Sequence, residues 1–185
     1  MESLMKYIIY TSFAAITVIC LVSCGSVTAV KPNSTVPGSV TTVGKTYSKV
    51  LVQDFTPSAD SGAEAATGAQ FAAIIAGKVM SSKPTVSVSR TGKADANTLI
   101  IGGEITRFVE GNAALRLLIG MGAGSSYFDA NVRLSDGVSG AAISSLKADK
   151  NSWGLGGSIA ASQTVETFMN EAATKTAQTA VPYLK

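Results

Sequence analysis

The side chains best suited to covalent chemistry lie near the N-terminus of this 185-residue chain. Its two cysteines, Cys20 and Cys24, fall within the first 24 residues, and it contains no histidine. No later segment can therefore form a disulfide or a CxxC metal site. The commonest general base and zinc ligand is also missing, which excludes Ser-His-Asp catalysis. We expect neither a metal ion nor a cofactor.

The carboxylates are scattered along the sequence, and no spacing among them predicts a glycosidase pair or a metal site. We expect most of them to be solvated, with one, Asp136, serving a turn. Composition alone does not exclude a Ser-Lys hydrolase. The carboxylates considered are Asp54, Glu104, Glu110, Asp129, Asp136 and Asp149.

The first 23 residues are typical of a signal peptide, with a short polar start carrying Lys6 and an apolar run from Tyr7 to Val22. A helix that stays uncleaved in the membrane is the alternative, since the run approaches the roughly 20 residues that span a bilayer. The residues that end the run, Leu21-Val22-Ser23-Cys24, resemble a bacterial lipobox.

The lipobox resemblance implies that acyl chains are attached to Cys24 and that residues 1–23, Cys20 included, are removed. The membrane is then a partner through this lipid. Gly25 follows the cysteine, where many inner-membrane lipoproteins carry aspartate. The resemblance therefore implies a lipoprotein of the outer membrane that faces the periplasm.

Residues 24–44 comprise the cysteine that the lipobox resemblance implies is lipidated and a flexible linker, which their richness in serine, threonine, glycine and proline predicts. Residues 45–185 then form a single domain. Apolar residues make up 46% of the chain and charged residues 15%, a composition that folds. The net charge of +3 is not concentrated in basic clusters, so nucleic acid is not an expected partner.

Within this domain the apolar pattern predicts strands and two helices. A strand lies within Thr46 to Phe55, and a helix follows, with Ser61 and Glu64 at the spacing of a capping box. Later strands are predicted over 85–91, 98–109, 126–134 and 141–148, the last two as a hairpin. A final helix covers about 162–181. Its predicted buried face comprises Val165, Phe168, Met169 and Ala172.

The order strand, helix, strands, helix predicts an α+β fold with a mainly antiparallel sheet and two helices packed on one face. A strand such as KVLVQDF followed by a helix also resembles, in topology, curli-secretion-type lipoproteins and the N-terminal domains of Tol translocation proteins.

The segment 111–126, GNAALRLLIGMGAGSS, is the most unusual stretch. It completes no GxGxxG or GK[ST] motif and precedes a strand, which argues against a phosphate loop. Two alternatives remain: its leucines fold back as a core plug, or they form a contact surface for a partner protein or the membrane. The residues of the possible contact are Leu115, Leu117, Leu118 and Met121, together with the only tryptophan, Trp153.

These motifs resemble a family of bacterial envelope lipoproteins whose domain has no assigned function, family 4410 of that series. The resemblance rests on Gly111-Asn112 through Arg116, on Gly120-Met-Gly-Ala-Gly-Ser125 and on Asp136-Gly137 with Gly140. It implies a small, lipid-anchored envelope protein and nothing beyond that location and kind. Our first hypothesis for this protein is a non-enzymatic binding or assembly domain with an envelope protein as partner. A small-ligand carrier and an envelope-acting hydrolase are the alternatives.

Overall fold

A computed structural model describes residues 25–30, 44–119, 124–151 and 163–185. In these residues seven strands form one sheet, and two long helices cover one of its faces. The strands are β1 (Gly25–Val30), β2 (Lys49–Val52), β3 (Thr56–Pro57), β4 (Ser87–Ser89), β5 (Thr98–Val109), β6 (Tyr127–Asp136) and β7 (Ala142–Asn151). The helices are α1 (Ala65–Ser82), α2 (Ala113–Ile119) and α3 (Val165–Ala180), which continues into a 3-10 turn (Val181–Tyr183).

The sheet is mostly antiparallel, as predicted, but it is mixed, because it also contains parallel strand pairs that the prediction did not include. Its strand order is β1-β7-β6-β5-β2-β4, with β3 also beside β5. The strands β1, β7, β6 and β5 pair antiparallel, whereas β2 pairs in parallel with both β4 and β5, and β3 pairs in parallel with β5. The parallel pairs arise because α1 carries the chain from β2 back to the start of β4, as a crossover connection does.

Three phenylalanines join α1 to the sheet. The ring of Phe71 in α1 lies between Phe55, which follows β2, and Phe128 in β6, with ring centroids 4.7 Å and 4.8 Å apart and edge-to-face angles of 62° and 66°. All three rings are buried. Such aromatic pairs contribute about 0.5–1.5 kcal/mol beyond the area that they bury.

The second helix packs as its sequence predicts. In α3, the side chains of Val165, Phe168, Met169 and Ala172 are buried, and Thr164 caps the start of the helix by accepting a hydrogen bond from the Thr167 amide. The start of α1 differs from the prediction, because Glu64 is its N-cap and its amide donates to the Thr67 hydroxyl at 3.4 Å. Ser61 instead donates its hydroxyl hydrogen to the Ser58 carbonyl oxygen at 2.7 Å.

Strand β1 lies inside the segment that the composition predicts to be a linker. It adds to the edge of the sheet beside β7, with Gly25 opposite Lys150 and Val30 opposite Ser145. Residues 25–30 therefore belong to the fold, while residues 31–43, which complete the expected linker, lie outside the described residues.

The strand directions define two ends of the domain. At one end, here named the α2 end, β5 finishes at Val109 opposite Tyr127, where β6 begins, and Tyr127 lies opposite Asn151, the last residue of β7. Gly25 of β1 is at this end as well. The opposite end, named the hairpin end, holds the turn between β6 and β7.

The close approach of α1 to the sheet gives a prediction about stability. A Cβ atom on Gly68 would lie 1.9 Å from the carbonyl oxygen of Phe55, whereas one on Gly77 in the same helix would meet nothing within 4 Å. We expect Gly68→Ala to lower the free energy of unfolding in a urea titration by about 1–3 kcal/mol, as overpacking does. Gly77→Ala is the matched control and should raise it by up to about 1 kcal/mol. Equal effects of the two variants would contradict this packing.

Candidate functional site

The connection between β5 and β6 is tied at its base and carries α2. The side-chain oxygen of Asn112 accepts hydrogen bonds from the amides of Ala114 and Leu115, at 3.0 Å and 3.2 Å, and so caps the helix. The Asn112 amide donates to the Gly124 carbonyl oxygen at 2.7 Å, and the Ser126 hydroxyl donates to the Glu110 carbonyl oxygen at 2.5 Å. These bonds fix the position of α2 at the α2 end.

Apolar side chains of α2 face solvent. Leu118 is 84% exposed, Ile119 is 63% exposed, and Leu115 is partly exposed. Leu115 is three residues from Leu118 and four from Ile119, so the three lie on one side of the helix. Val109, the last residue of β5, is also partly exposed. We name Val109, Leu115, Leu118 and Ile119 the α2 ridge.

A polar recess lies at the same end, where α1 and α3 begin. It has a volume of about 370 Å³, and its lining includes three glutamates, Glu64, Glu110 and Glu166, beside Phe108 and Met169. A hydrogen bond from the Thr164 hydroxyl lowers the pKa of Glu166, so this side chain stays ionised at neutral pH. The start of a helix also favours negative charge. The recess is therefore acidic.

The face of the sheet opposite the helices brings two aspartates together. Asp129 in β6 lies opposite Asp149 in β7 and opposite Arg107 in β5, whose guanidinium carbon is 3.6 Å from the centre of the Tyr127 ring. Burial raises the pKa of Asp129, and the charge of Asp149 and the hydrogen bond between the two carboxyl groups raise it further, against the lowering effect of Arg107. The Oδ1 atom of Asp129 is buried and has no hydrogen-bond partner among the described residues.

The sequence analysis did not predict this pair, although four of the six carboxylates considered are exposed as expected: Asp54, Glu104, Glu110 and Asp149. Asp129 and Asp149 are 20 positions apart in sequence, and only the register of β6 against β7 places them side by side. The sequence signal that could have found them is the predicted hairpin itself, since counting outward from its turn pairs the two positions.

A buried network closes the hairpin end. Asp136 forms an ion pair with Lys45 and accepts a hydrogen bond from the Tyr47 hydroxyl at 2.9 Å. Its second oxygen accepts from the amides of Val138 and Ser139 in the turn, at 3.1 Å and 2.9 Å. The hydrogen bond from Lys45 is the main cause that holds the pKa of Asp136 well below its usual range. The predicted turn role of Asp136 is confirmed, and the network adds a link to the segment before β2.

The structure describes some of the predicted contact residues and leaves others outside the described residues. It places Leu118 in solvent and Leu115 half in solvent, so these two do not form the core plug that was one alternative. Leu117 lies within α2, but nothing is described of its side chain. Cys24, Met121 and Trp153 lie outside the described residues. Ile119 and Val109 are exposed neighbours that the sequence reasoning did not include among the contact residues.

Two further features bear on function. Within 25–30, 44–119, 124–151 and 163–185, no three histidine, cysteine, aspartate or glutamate side chains are arranged to bind a metal ion. None of the helices in the described part of the chain is long and apolar enough to cross a bilayer.

Solved structures align with this chain. PelC from Paraburkholderia phytofirmans, a dodecamer, aligns with a TM-score of 0.52 and 12% sequence identity over 82% of this chain and 94% of that chain. A PelC variant from the same organism aligns with a TM-score of 0.47 and 14% sequence identity over 81% of this chain and 95% of that chain. A DUF330 protein from Xanthomonas campestris aligns with a TM-score of 0.47 and 14% sequence identity over 82% of this chain and 90% of that chain. The first alignment shows a shared α+β fold and no more.

The family follows from the sequence match. The family described as Domain of unknown function (DUF4410) matches residues 36–177, which is more than half of the chain. The chain belongs to this family, and the family predicted from its glycine-rich motifs is confirmed. No curated protein matches the chain.

The aspartate pair gives a pH-dependent prediction. A raised pKa means that the folded state binds the proton of Asp129 more tightly than the unfolded state, so ionisation of Asp129 lowers stability as the pH rises through its folded pKa. Asp129→Asn keeps a donor toward Asp149 and cannot ionise. We expect it to raise the melting temperature at pH 7 and to have little effect below about pH 4, where an ordinary aspartate is protonated. A variant less stable than the wild type at pH 7 would contradict this.

The Asp136 network gives a second prediction, in which the substitution lowers stability at pH 7, whereas Asp129→Asn is expected to raise it. Asp136→Asn removes the ion pair with Lys45, and we expect it to lower the free energy of unfolding at pH 7 by about 1.5–3 kcal/mol. Asp54→Asn, which breaks a mostly exposed pair with Arg90, should cost less than about 1 kcal/mol. Because the folded pKa of Asp136 is lowered, its contribution is complete above the ordinary aspartate pKa of about 3.9 and decreases as the pH falls below it. A difference between wild type and Asp136→Asn that stays constant from pH 6 to pH 2 would refute this role.

Proposed function

We propose that this protein is a cell-envelope lipoprotein, anchored through acyl chains on Cys24, whose domain is a non-enzymatic binding or assembly module. The carrying observation is the lipobox-like sequence Leu21-Val22-Ser23-Cys24, which ends one residue before β1. An anchor at that position joins the sheet directly. Two or three acyl chains, at about 0.8 kcal/mol per buried methylene, give an anchor that rarely dissociates.

The compartment in the proposal is the outer membrane, with the domain on its periplasmic side. Gly25 in place of aspartate after the cysteine is the one residue that supports this choice.

The binding or assembly role is supported by the character of the surfaces. The α2 ridge is an apolar surface held in a fixed position, and exposed apolar surfaces of this kind serve contacts. The same fold forms a dodecamer in PelC of Paraburkholderia phytofirmans, so the fold is compatible with assembly.

One observation favours the alternative of an envelope-acting hydrolase, namely the raised pKa of Asp129 beside Asp149. The arrangement does not suit a glycosidase, however. Asp129 and Asp149 lie directly opposite each other on neighbouring strands, with no gap for a substrate between them, whereas glycosidases hold their acid pair roughly 5–9.5 Å apart across the scissile bond. A structural pair on the open face of the sheet explains the same shift, so we retain the non-enzymatic role.

The anchor is tested by intact mass measurement and by metabolic labelling with an alkyne-bearing fatty acid. We expect the native chain to begin at Cys24 with acyl groups attached, and Cys24→Ser to lose the label. Cys20→Ser is the matched control, because Cys20 lies in the part that is removed, and it should be labelled like the wild type. A native chain that starts at Met1 with both thiols unmodified would refute the anchor.

A further inference from the structure

The point at which the chain would leave the lipid is fixed by β1. Cys24 is covalently joined to Gly25, and consecutive Cα atoms are about 3.8 Å apart. Gly25 lies opposite Lys150 in β7, one residue from the end of that strand. Acyl chains on Cys24 would therefore emerge beside the α2 end, with no spacer between the lipid and the sheet.

The α2 ridge lies at the same end and close by. It follows β5, and β1 is separated from β5 by β7 and β6. With neighbouring strands about 4.8 Å apart, the lateral distance from β1 to β5 is about 14 Å. Bonds from Asn112 to Gly124 and from Ser126 to Glu110 hold the connection that carries α2.

We infer that the α2 ridge inserts into the surface of the bilayer that holds the Cys24 lipid, so that the domain stands on the membrane by its α2 end. This inference rests on the proposed function, because the anchor brings the ridge to the bilayer. Leu115, Leu118 and Ile119 are the inserting side chains, and Val109 lies at their base. The arrangement is that of a small interfacial helix with a lipid anchor next to it.

The bilayer is the occupant that the geometry favours over a protein. An anchored chain with no spacer must place the end nearest its lipid against the headgroups, and the ridge projects from that end. The hairpin end, which also exposes an apolar side chain, Val138, lies at the far end of β6 and β7 and would face away from the membrane.

The charges at the α2 end predict which lipid headgroups allow the α2 ridge to contact the bilayer. Glu64, Glu110 and Glu166 line the recess at this end, and they repel anionic headgroups. Contact through the ridge is therefore driven by apolar burial. We expect it to occur on zwitterionic bilayers and to change little with salt, whereas contacts made by charged side chains are screened.

The test uses the full lipidated chain in phosphatidylcholine and phosphatidylethanolamine vesicles. The mature protein would contain no free thiol, because its only cysteine, Cys24, carries the lipid. A single cysteine at Leu118→Cys or Ile119→Cys can then be labelled with an environment-sensitive fluorophore. Val138→Cys is the matched control, a 70% exposed apolar residue at the hairpin end.

We expect the labels at 118 and 119 to emit at shorter wavelength and to be quenched several-fold more strongly than the label at 138 when nitroxide lipids are added. Raising the salt from 50 to 500 mM should leave this difference unchanged. Equal quenching at all three positions in vesicles that carry the protein through flotation would overturn the inference and leave the anchor intact. Labels at 118 and 119 that are shielded from water but not quenched by lipid would assign the ridge to a protein partner and also overturn it.

Failure of the proposed anchor gives a different result. The wild-type chain would then not float with vesicles, and its mass would show no acyl groups. Circular dichroism that matches the wild type confirms that each labelled variant is folded, as expected for substitutions of exposed side chains.

Discussion

The seating of Phe71 between Phe55 and Phe128 is the contact on which the layout of the domain depends. It joins α1 to the segment after β2 and to β6 at once, and Gly68 allows the helix backbone to approach the carbonyl oxygen of Phe55. With α1 held in this way, the chain returns along the sheet and β4 joins β2 in parallel. The direction of α1 then places its start at the α2 end, where α3 also begins, so the two helix starts meet around one recess.

The two ends of the domain consequently differ in chemistry. The hairpin end is closed by Asp136, which joins the turn between β6 and β7 to Lys45 and Tyr47 ahead of β2. The polar groups of this network form an ion pair and hydrogen bonds with one another. The α2 end instead presents apolar side chains on a short fixed helix beside an acidic recess. The α2 end is therefore the end suited to contact with another surface, and β1 places Gly25 at this end.

The sequence predicted the parts of the fold whose signal is local. The bounds of β5 are those expected, and the helical spacing in α3 identified its buried face, because a period of 3.6 residues is visible in a single segment. The parallel pairing of β2 was missed because it depends on where α1 returns the chain. The pairing of Asp129 with Asp149 was missed because it depends on register between strands. The short helix α2 did have a local signal, an asparagine N-cap before AALRLLI, which the neighbouring glycines obscured.

The size of the α2 ridge decides what it can do. Full burial of a leucine or isoleucine contributes roughly 1.5–3 kcal/mol, and three such side chains project from α2 among those that the structure describes. Part of that gain is offset by ordering the domain against the surface and by bringing Glu64, Glu110 and Glu166 toward the headgroups. The ridge is therefore too weak to recruit the domain from solution. Beside a covalent lipid the same contact becomes intramolecular, and a high effective concentration makes a weak contact sufficient. The lipid would supply the attachment, and the ridge would set which way the domain faces.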